Sequence, residues 1–81
     1  MEENRKRYIG LDVHKHYLVA LGVDADLNVV LPMRRVELSR LEIWMKKHLT
    51  KQDEVALEMT TNTWQLYDEL MEYAGKVTVV H

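Results

Sequence analysis

The chain has 81 residues, 47% of them hydrophobic and 30% charged, with a formal net charge of −2 and no cysteine. A chain this short makes one small domain at most and buries only about 60–65% of its unfolded surface; without cysteine it has neither disulfides nor thiolate-held zinc. No apolar run approaches the roughly 20 residues that cross a bilayer and no secretion signal is recognisable, so a cytoplasmic protein with no membrane partner is expected.

Charge gives no independent pointer to nucleic acid. A domain that grips phosphates usually carries a basic excess. Here the basic residues are scattered over 5–7, Arg34-Arg35, Arg40, Lys46-Lys47 and Lys51, a pattern that suits solvated faces and chain ends.

In chain order, residues 1–7 lack periodicity and are expected to form a flexible basic arm, leaving 8–81 as the folded unit. Residues 8–13 read as a buried strand: Ile9, Leu11 and Val13 are apolar, and Tyr8 and Gly10 can be buried as well. A second strand is expected over 17–23. The run from Asp24 to Asn28 has turn chemistry, and a third strand follows over 29–36. Pro32 cannot donate to a ladder, which places that strand at a sheet edge or at a bulge.

The period then changes. Ser39 and Glu42 have capping-box spacing, and Leu41, Trp44, Met45, His48 and Leu49 define one helical face. His48 is expected to be partly buried there, with Lys46 and Lys47 near the helix C-terminus, where the dipole favours cations. Residues 55–59 form a short strand. A second helix is expected to start at 60–62, with Trp64, Tyr67, Met71 and Ala74 facing inward and Gly75 as its left-handed C-terminal residue. Both tryptophans, Trp44 and Trp64, read as core residues. A fifth strand covers 76–80.

The order β-β-β-α-β-α-β implies an antiparallel meander followed by right-handed parallel crossovers. The expected α/β fold is a mixed five-stranded sheet with helices on at least one face. By analogy with the RNase H-like (RuvC-like) fold, the sheet order would be 3-2-1-4-5, with the fold incomplete at its C-terminus.

In that frame Asp12 and Glu58 emerge from the C-terminal ends of neighbouring parallel strands, which lie about 4.8 Å apart. Carboxylates so placed can share a divalent ion or bridge two ions roughly 3.5–4 Å apart, the arrangement used for phosphodiester chemistry. All-oxygen ligation suits Mg²⁺ or Mn²⁺. Side-chain alternation puts Gly10 on the face of Asp12 and Ala56 on the face of Glu58, so small residues would let another element approach the sheet beside the acids.

The segments Tyr8-Ile9-Gly10-Leu11-Asp12-Val13-His14-Lys15 and Val55-Ala56-Leu57-Glu58-Met59-Thr60-Thr61-Asn62-Thr63-Trp64-Gln65-Leu66-Tyr67 resemble two motifs of DEDD-type insertion-sequence transposases, the IS one-ten family that includes the Piv invertases. Residues 76–81 fit the strand that follows. The resemblance implies the N-terminal part of a RuvC-like domain for DNA transposition and recombination, with Asp12 and Glu58 as the first two acids of a metal-binding D-E-D-D tetrad. The remaining acids would come from a segment after the fifth strand. The family commonly has glycine where this chain has Thr61. A full-length member also uses a guide RNA to choose its DNA target, and has a further domain with a serine nucleophile.

Three other readings compete. A sugar-kinase or actin-like ATPase would place glycines directly after the first-strand Asp to hold phosphates, but none occurs between Asp12 and Gly22. A non-catalytic interaction module of the same fold is the main alternative. His14 and His16 have no third ligand at a spacing that would make a zinc site. Lys15 is a possible DNA contact or a solvated turn residue. The parent protein is expected to be a transposase or recombinase, the 81-residue chain to be inactive on its own, and its uncovered sheet to favour a homo-oligomer.

Overall fold

The computed structural model describes residues 6–59 and 64–80. The expectations for the arm at 1–5, for the helix start at 60–62, for Thr61 and for His81 lie outside these residues. Within them the chain forms β1 (Arg7–Val13), β2 (Tyr17–Asp24), β3 (Val29–Glu37), a 3-10 turn (Leu38–Arg40), α1 (Leu41–His48), β4 (Asp53–Met59), α2 (Trp64–Tyr73) and β5 (Lys76–Val80). The sheet order is β3-β2-β1-β4-β5. β2 runs antiparallel to β1 and β3, while β4 is parallel to β1 and β5. This is a mixed α/β fold with a five-stranded sheet.

Among the described residues only one face of the sheet is covered. Ile9, Leu11, Leu18, Leu57 and Val77 point into a core completed by Trp44 and Met45 of α1 and Leu66 and Leu70 of α2. On the opposite face Tyr8, Gly10, Asp12, Leu21, Met33, Ala56 and Glu58 are exposed. The expectation that Tyr8 and Gly10 would be buried is therefore corrected: β1 alternates buried and exposed, because no described element packs over its second face.

β3 carries its proline as an edge strand should. Its pairing with β2 shifts register between Ala20 and Gly22, opposite Leu31 and next to Pro32. At the preceding turn, Asp24 Oδ1 accepts from the backbone N–H groups of Asp26 and Asn28, both at 2.9 Å. Leu27 there is left-handed, with φ 66°.

Three local expectations give way to packing. α1 begins with Arg40 as its N-cap and no side-chain cap bond, so the Ser39–Glu42 capping box does not form. The chain enters through the 3-10 turn, whose Leu38 packs on the core and which leaves Ser39 one residue short of the capping position. Gly75 has no positive φ. Its missing side chain instead admits the backbone of Lys51, and its N–H donates to Asp53 O at 2.9 Å. In α2 the inward face is Leu66 and Leu70, followed by Ala74, with Tyr67 half-buried. Trp64 is 60% exposed and Met71 39% exposed, so neither is a core residue. Trp44 is buried, and His48 is half-buried.

Candidate functional site

The register of β1 against β4 decides where the acids lie. Arg7 pairs with Asp53 at one end of the ladder and Asp12 with Glu58 at the other. Strand parity sends Arg7 and Asp53 to the covered face and Asp12 and Glu58 to the open one. Arg7, counted by sequence pattern with the flexible arm, is thus the first residue of β1. Its Nε and Nη2 donate to Asp53 Oδ1 and Oδ2 at 2.7 and 2.8 Å, and Nη2 also donates to His48 O at 2.6 Å. Asp53 is fully buried and accepts a further bond from the Thr50 N–H at 2.8 Å. The hydrogen bonds to Asp53 raise the Arg7 pKa above its ordinary value. Beside it, on the open face, Lys6 pairs with Glu54 at 2.9 Å, holding the Glu54 carboxyl below its usual range.

At the far end Asp12 and Glu58 are exposed neighbours on strands about 4.8 Å apart. They close one end of a groove of about 390 Å³ over Gly10 and Ala56, flanked by Leu21, Met33 and Val80. The floor is shallow because neither Gly10 nor Ala56 projects a large side chain from the sheet. Polar groups and an apolar trough therefore share one accessible surface.

The structure adds contacts that the sequence pattern did not predict. The β1–β2 hairpin closes with His14 N–H donating to Tyr17 O at 2.8 Å. This returns the His14 ring onto Tyr17, with centroids 4.7 Å apart and 18° between planes. His14 Nε2 also lies 3.2 Å from Asp12 Oδ2. From β3 the Arg35 guanidinium carbon sits 3.9 Å from the Tyr17 ring centroid, and Arg35 Nε donates to Glu37 Oε2 at 2.8 Å. A continuous series of contacts thus runs Arg35, Tyr17, His14, Asp12, with Glu58 next in register. The only advance signal was period-two alternation, which puts Tyr17 and Val19 on one face; the bulge in β3 hides the position of Arg35.

Lys15 is exposed in the hairpin turn. His16 is exposed, and its carbonyl accepts from Leu38 N–H at 3.0 Å. His14 and His16 do not combine into a metal site: among the described residues no three His, Cys, Asp or Glu side chains converge. Two carboxylates still suit a hard cation such as Mg²⁺, which retains several waters and is bound through one or two carboxylates plus substrate phosphate.

The chain matches no known family model, no curated protein and no solved structure.

Proposed function

We propose that Asp12 and Glu58 hold a divalent cation, Mg²⁺ or Mn²⁺, and that the chain is the N-terminal portion of an RNase H-like, RuvC-like catalytic domain of a DNA transposase or recombinase. The observation that carries this reading is the in-register placement of the two exposed acids at the C-terminal ends of adjacent parallel strands. The motif resemblance around each acid supports it independently. A cation bound there supplies charge stabilisation to a phosphodiester. The residues' own part is to hold that charge at an open surface, where a DNA strand can approach without unfolding the core. Two carboxylates leave most of a six-coordinate shell to water and phosphate, so the purified chain should bind the ion weakly and cleave DNA at no useful rate.

Mn²⁺ binding followed by electron paramagnetic resonance tests the assignment. Asp12→Asn and Glu58→Gln should each weaken binding by more than the roughly tenfold lost when an outer-shell partner of a metal ligand is removed, with unchanged circular dichroism. Equal Mn²⁺ binding by the parent and both variants would refute it. The second reading, a non-catalytic interaction module, is favoured by the apolar groove beside the acids; it predicts no Mn²⁺ binding at all.

A further inference from the structure

On the open face Arg35 is held by its neighbours with donors left for an anion. We infer that Arg35 is a DNA phosphate-binding residue, gripping the strand on the β2–β3 side of the acid pair; the inference rests on the proposed metal-dependent DNA chemistry.

Three observations lead there. Asp12, Val19 and Arg35 lie in one row across β1, β2 and β3, so the backbones of Asp12 and Arg35 are two strand spacings apart, about 10 Å. Arg35 does not extend freely from that position. The Tyr17 ring supports its guanidinium at 3.9 Å, and Glu37 takes its Nε at 2.8 Å. This leaves its terminal nitrogens without another hydrogen-bond acceptor among the described residues. The side chain is 60% exposed, accessible to a ligand on the same face as the groove.

The chemistry of the fork then selects the ligand. A guanidinium presents a planar set of donors that matches phosphate oxygens, and stacking on an aromatic ring limits the rotamer freedom lost on binding. Phosphate at Arg35 and phosphate at an Asp12–Glu58-bound cation would be neighbouring groups of one strand. Without the cation, Asp12 and Glu58 repel such a ligand, and Glu37 offsets much of the charge of Arg35. The grip therefore operates with the divalent ion present. His14, bridging Tyr17 and Asp12, fixes the aromatic support relative to the acids.

The test uses the whole chain, a fluorescently labelled single-stranded DNA oligonucleotide and Mn²⁺, with anisotropy read across a salt series. Arg35→Gln should lower affinity roughly tenfold, the loss expected for one charge-assisted hydrogen-bonding group, and should reduce the salt slope by about 0.7, as for one phosphate contact to a single strand. Lys47→Gln removes the same charge from α1 in the helix layer and should change neither quantity. Arg35→Lys should keep the salt slope while losing part of the affinity. Equal effects of the two glutamine variants, no effect of Arg35→Gln, or no DNA binding by the parent would each overturn the assignment. The Mn²⁺ signal separates the two levels. If Asp12→Asn abolishes the signal while Arg35→Gln binds DNA like the parent, only the role of Arg35 fails. If Mn²⁺ binding is indifferent to Asp12, the metal reading itself fails.

Discussion

Replacing Asp53 with asparagine should destabilise the chain by about 3 kcal/mol, because it breaks a buried ion pair while leaving its cation in place. In the native fold one Asp53 oxygen accepts from Arg7 Nε, and the other accepts from both Arg7 Nη2 and the Thr50 N–H, all between 2.7 and 2.8 Å. An amide at this position must point its own N–H₂ at donors whichever way it is turned. Breaking a buried pair typically costs about 3–5 kcal/mol; the lower end applies because the Arg7 side chain retains 22% exposure. For 81 residues the whole stability is on the order of 4–12 kcal/mol, so the loss is a large share. It corresponds to a fall in melting temperature of more than about 12 °C for a domain of this size. Thermal and urea unfolding by circular dichroism measure it directly. A double variant, Arg7→Met with Asp53→Leu, should recover much of the loss, since apolar replacement of both partners is often neutral. A loss below about 1 kcal/mol in Asp53→Asn, with an unchanged denaturant slope, would refute the view that this pair anchors β1 against β4.

Four further outcomes follow from other parts of the fold. Burial depresses the pKa of His48, with Lys47, Arg34 and Arg7 adding to the effect; the folded state then binds fewer protons than the unfolded state just below the ordinary imidazole value of about 6.5. Stability should therefore fall as pH drops through that value towards the lowered one, and His48→Gln should flatten this limb in urea titrations at stepped pH. Leu27 is 79% exposed and left-handed, so Leu27→Gly should stabilise the turn by about 0.5–1 kcal/mol, a gain visible as a higher melting temperature. Asp12→Asn should raise stability by about 0.2–1 kcal/mol by removing a like-charge cross-strand neighbour, whereas an equal loss in chemical denaturation would assign Asp12 a structural role. Among the described residues the outer edge of β5 is unpaired and one sheet face is open, which should make the chain self-associate at high micromolar concentration; Val80→Lys should lower the apparent mass in sedimentation, and a strictly monomeric parent would contradict this.

Strand positions were legible where the buried stripe alternates cleanly, as in β1 and β4. Ile9, Leu11 and Val13 alternate, and β5 spans the five residues its composition predicts. Pro32 marked the edge strand through its missing donor. What failed depended on contacts remote in sequence. Trp64 has helical spacing to Tyr67, yet Leu66 and Leu70 provide the face that meets the sheet. Gly75 looked like a helix terminator but answers to the backbone of Lys51, more than twenty residues earlier in the chain. Arg7 looked like one of a run of solvated basic residues, although its partner lies 46 positions away. The acids themselves could be placed from topology alone, while the support of Arg35 by Tyr17 could not, since it depends on the register between β2 and β3.

The same ladder joins stability and chemistry through parity. From Arg7 to Asp12, and from Asp53 to Glu58, is five residues in each strand, an odd step that carries both side chains from the covered face to the open one. The complementary pair is thereby buried, where mutual neutralisation matters most, and the like-charged pair is left in water, where repulsion is cheapest. Exchange of these locations would place two carboxylates in the core without a partner. A slip of one residue in β4 would turn Glu58 inward and Val55 outward, breaking the core as it dispersed the acids. Two carboxylates facing each other across a parallel ladder contradict the charge complementarity that otherwise stabilises neighbouring strands. Such a local conflict, held in register by Arg7 and Asp53 at the opposite end, is the kind of cost that a fold retains at a functional site, in keeping with the cation binding we propose for this pair.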